Sequence, residues 1–296
     1  MKPHIKRLTI IGVGLIGGSL ARAVRCAGVC GEIVGCGRSR ENLQQALELG
    51  VIDRMEQDPG RAVQGADLVV VAVPLGAMET VLAQIAPHLA ADTVVTDVGS
   101  AKASVAAAAR RALGERVSRF VPGHPIAGTE QSGVGASFAE LFEGRCVILT
   151  PLPESDMQAV AQVESLWRSC GARVVAMDIA HHDAVLAATS HLPHLLAYAL
   201  VDTLAQMDDS EEIFRYAAGG FRDFTRIASS DPVMWRDICL ANRAAIVHML
   251  ERFAKDLEAL TESVRQGDGE QLLALFSRAK SVRDRVIENR EQKTED

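Results

Sequence analysis

Between Arg7 and about Met177 the chain repeats one pattern: a short run of β-branched and other apolar residues, then a longer stretch with helical spacing. The runs are RLTIIG, EIVGC, DLVVVAV, TVVTDV, RFVPG, CVILTP and ARVVAM. Strands alternating with helices predict a mostly parallel sheet covered by helices on both faces. DLVVVAV is almost continuously apolar, as a central strand buried on both sides requires. After Asp178 the strand signals stop and helical spacing takes over, beginning with DIAHHDAVLAATSHLPHLLAYALVDTLAQM, a segment that Pro193 should kink or interrupt. A further long helix should start at SDPVMWRD, with Asp231 as its cap and Pro232 at its first position. Its wide apolar face would comprise Trp235, Ile238, Cys239, Ala245, Ile246, Met249, Leu250, Phe253 and Leu257. The expected architecture is an α/β domain over residues 1–177 followed by an all-α domain over residues 178–296.

Composition narrows the function classes. With 48% hydrophobic and 23% charged residues, the chain of 296 can bury a substantial core. A net charge of -7 leaves no surplus of Lys and Arg for a phosphate backbone, so nucleic acid is not an expected partner. No stretch of about 18 uncharged apolar residues occurs, so no membrane partner is expected. The start MKPHIKRLTIIG lacks the apolar region and cleavage site of a secretory signal, so a cytoplasmic location is expected. The six cysteines form no C-x-x-C pair, and the histidines show no H-E-x-x-H spacing, so neither a disulfide framework nor a metal site is expected.

Chemistry enters with IIGVGLIGGSLARAV, where Gly12, Gly14 and Gly17 form G-x-G-x-x-G directly after a strand and at the start of a helix. The first glycine permits the tight turn, the second lets backbone approach a pyrophosphate, and the third allows close helix–strand packing. Such a Rossmann-type turn would bind a nicotinamide dinucleotide through Gly12, Gly14, Leu15, Ile16 and Gly17 at the helix N-terminus, with Val73 and Pro74 also placed at the cofactor. An NAD site expects Asp or Glu about 20 residues on. Here the second strand ends in Gly37, followed by Arg38, Ser39 and Arg40, which remove a carboxylate that would repel a 2′-phosphate and supply groups that could bind one. NADP is therefore expected over NAD, although Ser39 could equally cap the next helix. His124, in GHPIAGTE, follows the run RFVPG and should lie at a strand's carboxyl end, where open α/β sheets bind ligands. Ser100 could act at the site or cap a helix starting at Ala101, whereas Lys102 is expected to be a solvated first-turn residue. His181, His182 and His194 are expected as packed, hydrogen-bonded helix residues.

The segments IIGVGLIGGSLA, TDVGSAK, GHPIAGTEQSGV, SHLPH and GGFRDFTRIASSDPVMWRDI, in this order, closely resemble the prephenate dehydrogenase family. The resemblance implies an enzyme of tyrosine biosynthesis with a Rossmann domain and a helical dimerisation domain, acting on prephenate or its amino analogue arogenate as a homodimer. It places the family's catalytic histidine on His124, with Ser100 holding the imidazole. It places the substrate-binding arginine on Arg226 with Asp223 as an orienting group, His191 in the pocket and Glu130 over its entrance. Thr129, Gly219 and Trp235 complete the implied substrate set. The length is expected to leave no room for a fused mutase or a separate regulatory domain, so any tyrosine inhibition would act in the active site. Two alternatives stand beside this reading. A catalytically silent NADP-binding dimerisation module predicts loss of the polar set, and a β-hydroxyacid dehydrogenase wants a lysine early in the helical half, where none occurs between Asp178 and Lys255.

Overall fold

A computed structural model describes residues 5–129 and 131–295, with side chains described as far as residue 286. Six strands form a wholly parallel sheet in the order β3-β2-β1-β4-β5-β6. They are β1 (Ile5–Ile11), β2 (Cys30–Cys36), β3 (Arg54–Glu56), β4 (Leu68–Val71), β5 (Val94–Asp97) and β6 (Phe120–Val121). Every residue of β4 is buried, because the pleat sends its side chains alternately to two covered faces. Leu68 and Val70 join Leu8 and Ile10 on the face packed by α1 (Leu15–Cys26), α2 (Arg40–Glu48) and α6 (Met157–Ser169). Val69 and Val71 join Ile11 on the face packed by α4 (Met78–Ile85) and α5 (Lys102–Leu113), with the short α3 (Pro59–Ala62) at the same face.

The sequence pattern anticipated a single sheet running through ARVVAM, and here the structure differs. Pro122 has no N–H to donate, so the ladder of β6 stops before it, and its carbonyl instead accepts from Thr150 N at 2.9 Å. The next strand, β7 (Gly123–Pro125), belongs to a second sheet, antiparallel to β8 (Cys146–Leu149), which in turn runs parallel to β9 (Arg173–Ala176). His124 is thus the middle residue of β7, paired in register with Ile148.

The helical half begins at α7 (Ile179–Leu186), capped by Asp178, whose carboxylate accepts from the amides of Ala180 and His181. A π-helical turn, Ala187–His191, joins it to α8 (Leu192–Ala205). The interruption expected at Pro193 is therefore a widened turn just before it. The segment Ile179–Ala205 is long and apolar enough by composition to cross a membrane, with a mean hydropathy of 1.4. In the structure it packs on α5, where the Asp183 carboxylate accepts from the Lys102 and Ala103 amides. Two short helices follow, α9 (Ser210–Arg215) and α10 (Gly219–Thr225). Asp231 caps α11 (Pro232–Ala241) as the sequence anticipates, accepting from Val233 N and Met234 N. The long helix expected onward from there is two helices: Asn242 leaves helical geometry, at φ -111° and ψ 33°, before α12 (Arg243–Gln266) begins.

The chain divides into two compact units, one ending at Ile246 and one comprising Val247–Asp296. The first contains both sheets and the helices through α11. The second holds the rest of α12 and α13 (Gly269–Glu295), and it exposes Val247, Leu257, Val264, Leu273, Phe276, Val282 and Val286.

Candidate active site

The glycine turn is held by backbone crowding. Gly12 has φ +100°, and a Cβ there would lie 2.2 Å from the carbonyl oxygen of Ala72. A Cβ on Gly17 would lie 2.1 Å from the Gly12 oxygen, so these two positions admit no side chain. A Cβ on Gly14, in contrast, would meet nothing within 4 Å, and this residue is the N-cap of α1 with no side-chain cap, so the first-turn amides are left without a capping side chain. That is a cradle fit for a pyrophosphate. Val73 and Pro74 follow β4 on the neighbouring strand, next to the Ala72 carbonyl that crowds Gly12. Asn42 ties the turn down: its Nδ2 donates to Val13 O at 2.8 Å, while its Oδ1 accepts from Val134 N at 3.4 Å. Sequence reasoning missed Asn42, although its place three residues after a capping serine marks it as a first-turn residue.

At the end of β2, Arg38, Ser39 and Arg40 are exposed. Ser39 caps α2, accepting from Asn42 N at 3.1 Å, and its hydroxyl donates to Glu41 Oε2 at 2.8 Å. The hydroxyl is thereby engaged within its own helix turn.

Beneath the second sheet lies a buried polar cluster. Lys102, expected in solvent, is fully buried. Its Nζ donates to Asp97 Oδ2 at 2.5 Å and to Gly123 O at 2.7 Å, while Asp97 also accepts from Gly99 N and Gly123 N. A lysine this deep persists because the carboxylate compensates its charge. The pair fixes the backbone on either side of the site, since Gly99 precedes Ser100 and Gly123 precedes His124.

His124 Nδ1 lies 2.9 Å from His182 Nε2, and His182 Nδ1 lies 2.8 Å from Asp183 Oδ1. The family resemblance implies that Ser100 holds the His124 imidazole, and the sequence pattern expects His182 as a packed helix residue. The structure puts His182 at that nitrogen. Ser100 is half-buried, and neither a bond to His124 nor a cap on α5 is present among the described residues, the N-cap being Ala101. Sequence reasoning missed His182 because its partner is 58 positions away, although the adjacent His182–Asp183 dyad was a usable signal.

His191 is also buried. Asn242 Nδ2 donates to Asp183 O at 2.9 Å and lies 3.2 Å from His191 Nδ1. Trp235 stacks on His194 with ring centres 3.9 Å apart and meets His191 edge-on at 6.0 Å. The side-chain nitrogens His191 Nε2 and Trp235 Nε1 are both buried without a hydrogen-bond partner among the described residues. Buried polar atoms usually have a hydrogen-bond partner, and these two are among the few described atoms that lack one.

Burial, with the nearby Lys102 cation and the His182 and His191 rings, holds His124 well below the ordinary histidine value. Burial lowers His191 to about 4. Burial would raise Asp183, but hydrogen bonds from His182 and the amides of Lys102 and Ala103 outweigh it, and the carboxyl titrates low. At neutral pH the site therefore presents two uncharged imidazoles over an ionised carboxylate.

The remaining expected residues lie apart from this cluster in character. Gly219, Asp223 and Arg226 are exposed, on α10 and the turn Arg226–Ser229 that follows it. Tyr198 OH of α8 donates to Ser230 O at 2.6 Å just beyond that turn. Thr129 is exposed, with Oγ1 accepting from Gln131 N, and Glu130 lies outside the described residues. No cluster of metal-ligating side chains occurs among the described residues.

The chain as a whole has counterparts among known proteins. Residues 20–176 match the family model "Prephenate dehydrogenase, nucleotide-binding domain", and residues 178–278 match "Prephenate dehydrogenase, dimerization domain". The chain is 41% identical to the cyclohexadienyl dehydrogenase of Zymomonas mobilis, over 94% of this chain and 95% of that one. It is 39% identical to the prephenate dehydrogenase of Bacillus subtilis, over 94% of this chain and 75% of the relative. Among solved structures, prephenate dehydrogenase from A. aeolicus, in complex with hydroxyphenyl propionate and NAD+, superposes with a TM-score of 0.90 at 38% identity, covering 97% of this chain and all (100%) of that one. Synechocystis arogenate dehydrogenase superposes with a TM-score of 0.79 at 27% identity, covering 94% and 99% of the two chains. With both domains matched in order, this chain is an oxidoreductase that belongs to the prephenate dehydrogenase family.

Proposed function

We propose that the chain catalyses the oxidative decarboxylation of prephenate to 4-hydroxyphenylpyruvate in tyrosine biosynthesis, with arogenate as the alternative substrate. The observation that carries this reading is His124: a buried, neutral imidazole whose Nδ1 is engaged, leaving Nε2 for the substrate. Gly12, Gly14, Leu15, Ile16 and Gly17, with Val73 and Pro74, would hold the dinucleotide, whose nicotinamide would supply the hydride acceptor. His124 Nε2 takes the hydroxyl hydrogen as positive character grows on the ring carbon that loses hydride. The electron pair of the departing carboxylate's carbon–carbon bond completes the aromatic ring, which makes the step effectively irreversible.

His191 offers a buried nitrogen to a substrate polar atom, and Trp235 lines the same region. Arg226, with Asp223 beside it, supplies a guanidinium fork suited to a carboxylate. On the family resemblance Glu130 is assigned to the pocket entrance, Thr129 and Gly219 to the substrate set, and Ser100 to the catalytic pair with His124. The experiment is steady-state kinetics with prephenate and arogenate. His124→Asn should lower kcat by about 10²- to 10⁴-fold with little change in KM; near-normal turnover would remove His124 as the base.

For the cofactor we propose NADP over NAD. The support is the end of β2, which carries Gly37 and the exposed Arg38 where an NAD site expects an acid. With the Ser39 hydroxyl engaged by Glu41, discrimination falls mainly to Arg38. Arg38→Ala should raise KM for NADP by about tenfold, the loss of one exposed ion pair to phosphate, and leave KM for NAD unchanged. A wild-type enzyme more efficient with NAD would overturn this. The exposed apolar side chains of α12 and α13 support a homodimer, and a cytoplasmic location accords with the soluble biosynthetic role.

A further inference from the structure

Asp183 lies where two buried histidines meet, and the hydrogen bonds around it fix which nitrogen of each ring carries hydrogen. Its carboxylate accepts from Lys102 N at 2.8 Å and Ala103 N at 2.9 Å, and Oδ1 lies 2.8 Å from His182 Nδ1. An ionised carboxylate only accepts, so the hydrogen between them sits on His182 Nδ1. In its uncharged form His182 turns a lone pair at Nε2 toward His124 Nδ1, 2.9 Å away. The hydrogen there must belong to His124 Nδ1, which leaves the His124 lone pair on Nε2.

The second histidine is set the opposite way. Asn242 donates to the backbone carbonyl of Asp183, which identifies the atom as the amide nitrogen. That same nitrogen lies 3.2 Å from His191 Nδ1, and an amide nitrogen cannot accept. His191 Nδ1 is therefore the acceptor, and its hydrogen sits on Nε2, the buried atom with no protein partner among the described residues.

We propose that His182, Asp183 and Asn242 are positioning residues for the dehydrogenation: the first two present His124 as a hydrogen acceptor, and Asn242 presents His191 as a hydrogen donor. This rests on the reading of His124 as the base. A free imidazole divides its hydrogen between two nitrogens, and only one form can receive the substrate hydroxyl. The relay removes the unproductive form before substrate arrives. Charging His182 would reverse the relay, because its Nε2–H would consume the His124 lone pair at Nδ1. Asp183 serves both rings, through its side chain toward His124 and through its backbone toward His191, so one residue keeps their opposite settings in step.

The test combines spectroscopy and kinetics on the full chain. Two-bond ¹H–¹⁵N correlation spectra of ¹⁵N-histidine-labelled protein near neutral pH report the tautomer of each ring, with signals assigned by their loss in His124→Asn, His182→Leu and His191→Asn. The proposal expects hydrogen on Nδ1 in His124 and on Nε2 in His191. Hydrogen on Nε2 of His124 would overturn it. In kinetics, His182→Leu should lower kcat by about 10²-fold or more, within the range of the base catalysis it disables, with KM for substrate and cofactor unchanged. His182→Gln, whose carbonyl can accept from His124 Nδ1, should recover part of that loss. A KM defect with no rescue by glutamine would reduce His182 to a packing residue and overturn the relay. If the leucine variant does not fold, the wild-type spectrum decides. If the wild type turns over neither prephenate nor arogenate, the functional reading fails while the tautomer assignment still stands or falls on the spectrum.

Discussion

The turn Gly12–Gly17 is shaped by side chains it lacks, and the cluster under His124 by side chains drawn from far apart. In the turn, Gly12 and Gly17 leave room for carbonyl oxygens that a Cβ would strike, and the glycines themselves lie within six consecutive residues. In the cluster, β5, α5, β7, α7 and the break after α11 each contribute one or two polar groups, and none works without its partners. A backbone site can be written in a contiguous motif and tolerates changes elsewhere. A buried polar site has to be satisfied as a whole, because each partner lost strands another group without solvent.

The contrast is broken most severely at the Asp97–Lys102 pair. Lys102→Met should cost about 3–5 kcal/mol in urea unfolding, since it leaves the Asp97 carboxylate buried without its cation. A loss below about 1 kcal/mol would mean the pair is no more than a surface bridge in effect.

Acid should weaken the cluster next. His191 titrates at about 4 in the folded chain against the ordinary 6.5, because burial disfavours its charged form. Between these values the unfolded chain binds a proton that the folded chain refuses. Stability is therefore complete above pH 6.5 and falls as the pH drops toward 4, by on the order of 3 kcal/mol from this residue alone. His124 shifts in the same direction and adds to the fall. The midpoint of thermal unfolding across this range checks it, and His191→Asn should flatten the slope.

The glycines separate fold from ligand. Gly12→Ala places a methyl against the Ala72 carbonyl in a left-handed conformation and should cost about 1–3 kcal/mol of stability. Gly14→Ala meets nothing within 4 Å, so it should unfold like the wild type while losing cofactor affinity, measured by fluorescence titration. Equal stability losses at both positions would erase the distinction. A small loss of stability, about 1 kcal/mol from the lost α2 cap, is expected at Ser39→Ala and is read from urea unfolding.

The same contrast explains what was legible beforehand. Strands such as β4 announce themselves through consecutive apolar residues, and the glycine turn through its spacing. The second sheet was hidden because Pro122, one residue inside an otherwise ordinary strand signal, redirects the chain. The helix break at Asn242 was hidden because its cause is tertiary: the amide leaves the helix for groups 51 and 59 positions away. Lys102 read as a solvated residue because its compensating carboxylate lies on the preceding strand, and only folding brings the two into the same dry space. His124 was legible from its place after the run RFVPG, while the roles of His191 and Trp235 came from the family resemblance; the His182–Asp183 dyad was visible, but nothing local set it apart from packing residues.

The π-helical turn between α7 and α8 carries one residue more than an α-helix would use over the same rise. Each α-helical residue advances the azimuth by about 100°. Deleting one residue between Ala187 and His191 would therefore act less as a shortening than as a twist of the rod. The Asp183 end would stay keyed to α5, while the face beyond Pro193 would swing away, taking His194 off the Trp235 ring it stacks upon. The turn works as a phase setting between two halves of one helix, so point substitutions would leave its message intact and a single insertion or deletion would scramble it.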